Sequence, residues 1–400
     1  MSITSEEKIK KLEAEIASAR TPKHKCNLHI DIAMELRHSN PAAALKEAMH
    51  ALAFSEQINF ALGKARSYFC MGLAHFNLSD YENSFVCLDQ SLRIFTEAGD
   101  KWGISNALNN MGLIYMRLGD YTKALEKFSA SLLIKKEAHD AFGTANVMIS
   151  MATIQRETGN LADAQLLLAE SLKISDELKY RELTAKGLME QGIVLMMEHK
   201  FPEATEKFNE AKNIYASQNN ASGNAQCFLY LGKIKSQLND LRESVSWFEE
   251  GQKIAADTGD RSLLTVFLYN IAAEKLKAGE YPEAIALLQE AKQIAEKTQE
   301  KPVLSMISQL LSSGYEATGH LKEALTFYVQ RDTSPEKFYP LNADGSVRKF
   351  DDLPAIYQRN VNTSEAPYNR RPGDAPALGD AEIDDVIAFL RTLDDGYVQP

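Results

Sequence analysis

The residues of this chain that could bind a metal are few, and they are widely spaced along it. His24, Cys26 and His29 stand closest together, and Cys26 and His29 fall on one helical face at positions i and i+3. A zinc site needs at least three protein ligands, and this face offers two. We therefore predict no metal here and interpret the three residues as ordinary polar decoration of a helix.

The motifs that mark common enzymes are also missing from the sequence. The chain has no GxxxxGK[ST] phosphate loop, no GxGxxG fingerprint, no HExxH zinc motif and no nucleophile elbow. Adjacent carboxylates such as Asp384 and Asp385 are interpreted as surface acids. The sequence thus predicts a protein that is not an enzyme and that uses no cofactor.

Charge and cysteine content narrow the class of protein further. The net charge of −11 opposes general binding to nucleic acid, which depends on neutralising phosphates. No apolar run approaches the roughly 18 residues of a membrane span, and residues 1–8 lack the apolar core of a signal peptide. The four cysteines form no CxxC pair. We expect a cytoplasmic protein with reduced thiols and with neither nucleic acid nor membrane as a partner.

The sequence repeats in blocks of equal length, with a period of about 40 residues, from Thr21 to about residue 340. The blocks begin at Thr21, Ala61, Lys101, Ala141, Arg181, Ala221, Arg261 and Lys301. A first column of mostly small residues reads Ile32, Gly72, Gly112, Ala152, Gly192, Gly232, Ala272, Ser312. A second small column runs from Ala44 to Ala324, and a third column holds Ala48, Leu88, Phe128, Leu168, Phe208, Phe248, Leu288, Tyr328.

Turn residues separate the first two columns in every block, for example Gly119-Asp120 and Asn239-Asp240. Each block is therefore predicted to be a helix, a tight turn and a second helix. Neither helix can bury its apolar face alone, so the blocks must stack. We expect the small residues to let paired helices approach closely and the large third-column residues to fill the interface with the next block.

The segment Asn110-Met111-Gly112-Leu113-Ile114-Tyr115, followed by Gly119-Asp120-Tyr121 and Phe128, resembles the tetratricopeptide repeat. The resemblance covers about four-fifths of the chain. It implies an all-α, right-handed superhelical solenoid of about eight repeats over residues 21–330, with an N-terminal capping helix over residues 1–20. Since a period of about 40 residues is longer than is usual for this repeat, we expect each second helix to run on for more than a turn. Such long repeats resemble arrays ahead of bacterial cyclases and sensor kinases, and eukaryotic adaptor arrays.

The composition changes after Gln330, because seven of the twelve prolines lie beyond this residue. We predict irregular chain over 331–378 and one short helix at about 380–393. This tail, residues 331–400, resembles the C-terminus of di-haem cytochrome c peroxidases and MauG-like proteins through segments 328–333, 347–354, 370–374 and 381–393. That family attaches haem through CxxCH motifs, which this chain lacks, so no peroxidase activity is implied. The tail has a chimeric character, and the sequence leaves the origin of the junction near 321–331 open.

In the resembled family the first helices line a concave groove, at positions six, nine, thirteen, sixteen and seventeen of each block in this register. These positions supply the cations Arg37, Arg66, Arg117, Arg156, Lys186, Lys233 and Lys277, against Glu157 and Glu316. They also supply the amides Asn106, Asn109 and Asn146, and the apolar residues Phe69, Phe76, Met116, Met189, Met196 and Tyr269. The resemblance implies a basic groove for an acidic, partly hydrophobic peptide or helix. Solvated cations and simple packing of the apolar residues remain the alternatives.

The function implied is a non-enzymatic scaffold or regulatory module that binds a protein or peptide in this groove. The alternative is a sensory array whose cyclase or kinase output is lost or lies on another chain, and a haem-less peroxidase remnant is a third reading. The tail carries 13 acidic against 8 basic residues after Gln330. It could fold back onto the groove or onto the exposed end of block eight, or remain mobile.

Overall fold

The computed structural model of the chain describes residues 5–298 and 301–324, and these residues are helical with short turns and no strand. Its helices are α1 Ser5–Ser18, α2 Pro22–Leu36, α3 Pro41–Gln57, α4 Ala61–Asn77, α5 Tyr81–Glu97, α6 Lys101–Arg117, α7 Tyr121–Glu137, α8 Ala141–Glu157, α9 Leu161–Glu177, α10 Arg181–Met197, α11 Phe201–Ser217, α12 Ala221–Gln237, α13 Leu241–Thr258, α14 Arg261–Lys277, α15 Tyr281–Thr298 and α16 Lys301–Ala317. None of these helices is both long and apolar enough to cross a membrane. The expected all-α fold built from helix-turn-helix blocks is confirmed.

The described residues form two compact units, which divide between Lys200 and Phe201. In the first unit, α2–α3, α4–α5, α6–α7 and α8–α9 form hairpins, and α1 packs on α2. The first helices of successive blocks also contact one another, from α2 through α4, α6 and α8 to α10. The second unit holds the hairpins α12–α13 and α14–α15, and α14 contacts α16. First helices thus share one face within the first unit.

A turn of constant design separates the helices. Asp100, Asp120 and Asp140 each accept a hydrogen bond from the backbone N–H three residues on, at 3.0, 3.1 and 2.8 Å. Such N-caps satisfy donors that a helix start leaves without an intrahelical partner. The residue before each cap has a positive φ, which Gly99 and Gly119 adopt without strain. The positive-φ residue and the N-cap that follows it therefore fix where each helix begins, as the apolar columns do.

The expectation that the second helix of each block carries the extra length is wrong. From α4 to α12 the described helices are all 17 residues long, whether first or second in their block. The physical reason is that the same left-handed residue and cap end both kinds of helix and recur at even spacing, as at Gly99, Gly119, His139 and Gly159. Each block from α4 to α11 is therefore built of two helices of equal length.

The large third-column residues pack inside their own hairpin and also on the next block. The Phe208 ring of α11 stacks on the Tyr230 ring of α12, with 5.2 Å between centroids. A Cβ built on Gly112 would lie 2.7 Å from Phe128 Cε1, and one built on Gly72 would lie 2.7 Å from Leu88 Cγ. A second position also fills the interface with the next block, for example Phe95, whose ring packs on Gly103. The expected contact with the next block is therefore present. The contact inside the hairpin was not foreseen, because column spacing shows which residues are large but not every neighbour they meet.

The tail lies outside the described residues. The short helix expected at 380–393, the irregular chain over 331–378 and the peroxidase-like resemblance therefore stay predictions.

Candidate functional site

The shared face of α2, α4 and α6 contains a pocket of about 240 Å³. It is lined by Ile30, Asp31, Met34, Arg66, Phe69, Cys70 and Trp102. The sequence-based groove positions predicted Arg66 and Phe69 and missed Asp31 and Trp102. The pocket therefore joins two of the predicted residues to five that lie outside the groove positions taken from the resembled family.

Trp102 is the large aromatic residue of this pocket, and 55% of it is exposed. Its ring lies 6.3 Å from that of Phe69, with the two planes tilted by 60°. Exposed aromatic residues beside an apolar pocket are typical anchors for binding partners. A signal for it existed in the sequence, because Trp102 and Phe142 put aromatic residues at the second position of their blocks, which no packing column claims.

Both signs of charge are present in the pocket. Burial raises the pKa of the Asp31 carboxyl, while the charges of Lys8 and Arg66 lower it in part. Arg66 itself is exposed, and so is Arg117 further along the same face. The local charge is thus mixed at Asp31 and Arg66, where the sequence predicted only the cation.

Further along the first unit, two predicted cations are engaged with acids or amides of a neighbouring helix. Lys186 Nζ donates to Asn146 Oδ1 at 3.0 Å, and these two residues hold the same position in successive blocks. Burial lowers the pKa of the Lys186 ammonium, against the opposing charges of Glu190 and Glu182. Arg156 contacts Glu190 Oε2 at 3.3 Å. Glu190 occupies the tenth position of its block, which the family positions omit.

The predicted amides are partly used within the protein. Asn106 Oδ1 accepts from Lys135 Nζ at 3.0 Å, and Asn106 Nδ2 donates to the Trp102 carbonyl at 3.0 Å. Asn109 is buried, and its Oδ1 has no hydrogen-bond partner among the described residues. Asn146, half-buried, is held by Lys186. Of the three predicted amides, Asn146 is therefore the main one whose Nδ2 group can donate to the backbone of a bound peptide.

The remaining predicted residues of the first unit have mixed surroundings. The Arg37 guanidinium donates to the Met34 carbonyl of its own helix. Phe76 packs against Tyr81 at 5.7 Å between ring centroids. The thioether side chains at this face are half-buried, and they are Met116, Met189 and Met196.

In the second unit the predicted residues are Lys233, Tyr269 and Lys277. Burial lowers the pKa of Lys233, whose Nζ lies 5.4 Å from the centre of the Tyr230 ring. Burial also raises the pKa of Tyr269. Lys277 Nζ donates to Glu274 Oε1 at 2.8 Å, so its charge is balanced by an acid that the family positions also omit.

A larger pocket of about 540 Å³ lies elsewhere in the second unit. It is formed by α13 and the end of α14 and is lined by Leu241, Arg242, Val245, Ser246, Glu249, Glu274, Lys275, Ala278 and Glu280. None of the groove residues named from sequence lines it. Its lining carries three acids and two bases, so its formal charge is −1.

The structure separates His24, Cys26 and His29. Cys26 is fully buried and hydrogen-bonds Ser67 of α4, whereas His29 Nδ1 lies 2.6 Å from Glu47 Oε2 of α3. All four cysteines are free and buried. Burial raises the pKa of the Cys70 and Cys227 thiols to about 12, so neither supplies a thiolate nucleophile at neutral pH.

Comparison with protein families gives two matches. The tetratricopeptide repeat model matches residues 103–177. The model of anaphase-promoting complex subunit 5 matches residues 192–274 and 264–313. The comparison with curated proteins gives no match.

Solved structures resemble the chain over most of its length. A Rap protein complexed with competence and sporulation factor has a TM-score of 0.58 at 16% identity, over 80% of this chain and 88% of that one. NprR in complex with its cognate peptide NprX has a TM-score of 0.54 at 14% identity, over 81% and 91%. The chain has the tetratricopeptide-repeat fold.

A third similar structure is a signal transduction ATPase with numerous domains, which carries a tetratricopeptide repeat sensor, from Pyrococcus horikoshii. Its TM-score is 0.53 at 15% identity, over 74% of this chain and 46% of that one. Tetratricopeptide-repeat arrays of this kind therefore occur both as nearly whole chains and as parts of larger ones. At sequence identities this low, the similarity shows a shared fold and nothing further.

Proposed function

We propose that this protein is a non-enzymatic interaction module that binds a peptide or a helix on the face formed by its first helices. The observation that carries the proposal is the pocket of α2, α4 and α6, where the exposed Trp102 contacts Phe69 and Arg66 lines the same pocket. An aromatic anchor next to a cation that can pair bidentately with a carboxylate is a common design of peptide-binding sites.

The proposed partner is acidic and partly hydrophobic. Arg66 and Arg117 are exposed on this face and available for charge pairing. Arg156 is paired with an acid of the protein itself, so it contributes to the shape of this face more than to its charge. Lys277, in the second unit, is likewise paired with Glu274. The similar structures support a peptide partner, because one is described as NprR with its cognate peptide.

One candidate ligand is the chain's own tail. We propose the division into an N-terminal helix over 1–20, an array over 21–330 and a tail over 331–400, and the excess of acids in the tail suits the exposed arginines. In this version the tail competes with an outside peptide for the pocket. The junction between array and tail lies outside the described residues.

The second candidate function is a sensory array whose output lies on another chain. The similarity to the sensor of the Pyrococcus horikoshii ATPase favours it, because this chain aligns with less than half of that protein. The two functions share the ligand site and differ in whether a ligand alters a partner enzyme. Assaying a co-purifying cyclase or kinase with and without a bound peptide distinguishes them.

A selection of short random peptides against the full chain tests the proposal. Binding of the selected peptides, and of a synthetic peptide of residues 331–400, is then measured by fluorescence anisotropy at low and raised salt. Arg66→Glu and Trp102→Ala should each weaken binding at least about tenfold, since anchor residues dominate interface energies. Lys173→Glu, an equal charge reversal on the second helix α9, is the control and should leave binding unchanged.

Equal affinity of all three variants for the selected peptides would overturn this assignment of the site. Failure of the tail peptide alone, with the selected peptides still sensitive to Arg66→Glu, would remove only the tail as ligand.

A further inference from the structure

The first hairpin of the array brings together three side chains that the sequence keeps far apart. His29 lies on α2, and Glu47 and His50 lie on α3. His29 Nδ1 is 2.6 Å from Glu47 Oε2, and His50 Nδ1 is 3.9 Å from Glu47 Oε1. One potential ligand atom from each residue lies within 4.8 Å of the other two. The two imidazole rings meet edge to face at 5.3 Å between centroids.

This arrangement matches what a borderline transition-metal ion requires. Two imidazoles and one carboxylate form the ligand set of one class of zinc site, in which water or another ligand takes the fourth position. Bond lengths of about 2.0–2.1 Å place neighbouring ligands of a tetrahedral site about 3.3 Å apart. The observed separations, 2.6 Å from His29 Nδ1 to Glu47 Oε2 and 3.9 Å from His50 Nδ1 to Glu47 Oε1, lie on either side of that value and involve the two oxygens of the carboxylate. Binding of an ion therefore requires rotation of the Glu47 and His50 side chains.

The cluster is buried at His29 and open to solvent at His50. Glu47 and His50 share a face of α3 at positions i and i+3, the spacing by which a Glu-x-x-His pair binds one metal in carboxylate-bridged helical bundles. His29 is buried and stacks on Phe54, with 5.5 Å between ring centroids. The His50 side chain is 47% exposed. A metal could therefore enter from solvent and bind to a ligand that is already positioned.

The other blocks place different residues at the same positions, which separates this cluster from the repeat pattern. The position of His29 is occupied by Phe69, Asn109, Ile149, Met189, Leu229, Tyr269 and Gln309, and that of Glu47 by Cys87, Lys127, Leu167, Lys207, Trp247, Leu287 and Phe327. Stacking of the array therefore does not demand a histidine or a carboxylate here. The trio occurs together in the first block only.

We propose that His29, Glu47 and His50 form a binding site for one Zn²⁺ ion, with a fourth position left to water or to a group from a ligand. The ion ties α2 to α3 in the hairpin nearest the N-terminus of the array. Hard ions such as Mg²⁺ and Ca²⁺, which favour sets of oxygen ligands, are excluded by the two imidazoles. The site is independent of the peptide-binding function proposed above.

Isothermal titration of the full chain with ZnCl₂, without a histidine tag and after removal of metal by EDTA, tests this site. One equivalent of Zn²⁺ should bind, and MgCl₂ should give no binding. Loss of an outer-shell partner already costs about 10–100-fold in metal affinity, so loss of a ligand in His50→Gln or Glu47→Gln should weaken binding by about 100-fold or more. His24→Gln, an exposed histidine on α2, is the matched control and should bind as the parent does.

Substitution of Co²⁺ for Zn²⁺ provides a second readout. A site of nitrogen and oxygen ligands gives d–d bands without the near-ultraviolet charge transfer of thiolate ligands, which separates it from binding to the cysteines. His50 is exposed, so its variant should keep the circular dichroism of the parent, and a loss of binding then reports the ligand. Absence of the single Zn²⁺ equivalent, or equal binding in His50→Gln and His24→Gln, would overturn the proposal and leave a His29–Glu47 hydrogen bond only.

Discussion

Complementary sizes of the residues facing each other in a hairpin should produce a measurable coupling between them. Where the first column has Gly112, the third column has Phe128, and Gly232 is likewise paired with Phe248. Where the first column has alanine, the third has leucine, as in Ala152 with Leu168. We predict that Gly112→Ala is tolerated poorly beside Phe128 and well in the Phe128→Leu background, which recreates the alanine–leucine pair.

The distances set the magnitude. A Cβ on Gly112 would lie 2.7, 2.8 and 3.1 Å from Cε1, Cδ1 and Cζ of Phe128. Reaching an ordinary carbon contact of about 3.5 Å requires the fully buried ring to move by about 0.8 Å. Overpacking of this kind costs about 1–3 kcal/mol, whereas replacing glycine by alanine inside a helix gains about 1 kcal/mol. That gain is common to both backgrounds and cancels in a double-mutant cycle, so a coupling of about 1–3 kcal/mol should remain.

Hydrogen exchange followed by mass spectrometry on peptides of α6 and α7 is the appropriate assay. Repeat arrays need not unfold in one step, and this method reports the opening free energy of each hairpin separately. Gly314→Ala is the control, because the nearest atoms to a Cβ there lie 3.1–3.5 Å away on flexible Ile285 and Leu276. It should not couple to Phe128→Leu. A coupling between Gly112→Ala and Phe128→Leu below about 0.5 kcal/mol would refute the size-pairing argument.

Three other predictions follow from backbone strain and burial. Lys179→Gly should raise the melting temperature, because Lys179 has a φ of 57° that costs a side-chain-bearing residue about 1–2 kcal/mol; an unchanged melting temperature would contradict this. Lys186→Met should stabilise the protein at pH 7, because the folded state disfavours the charged ammonium. Its advantage should shrink as pH rises from the lowered folded pKa towards the unfolded value of about 10.4, since stability of the parent rises in that window; a pH-independent difference in urea unfolding would disprove it. Cys70 and Cys227 should resist alkylation by iodoacetamide at pH 8 until urea is added, because burial raises their thiol pKa values. Mass spectrometry measures the alkylation, and rapid alkylation of the folded protein would refute the burial of these thiols.

Most of the fold could be predicted from the repeat, because a constant period shows several times over which type of residue each position of the block requires. Helices α4, α6 and α8 begin at Ala61, Lys101 and Ala141, the starts of their blocks. The interfaces could not be assigned in the same way. Phe95 and Phe128 are both fully buried aromatic residues, yet Phe95 packs on Gly103 of the next block, whereas Phe128 packs on Gly112 of its own hairpin and clusters with Val147 of the next block. That difference depends on the direction in which each side chain leaves its helix.

The candidate site was less predictable, since charge balance depends on neighbours that no column of the repeat identifies. Arg156 was expected to be a free cation of the groove, and Glu190 of the next block pairs with it. Considering one helix alone also grouped Cys26 with His29, because residues three apart share a face. Where three helices meet, neighbours on one face contact different partners, and His29 contacts α3 while Cys26 faces α4.

Hydrogen exchange of the full chain, with and without a saturating selected peptide, shows directly whether the ligand binds the face of the first helices. We expect slower exchange in α2, α4 and α6, the helices that line the pocket, and little change in α5, α7 and α9. Protection confined to the second helices, or an absence of protection at saturation, would contradict a binding site on the face of the first helices.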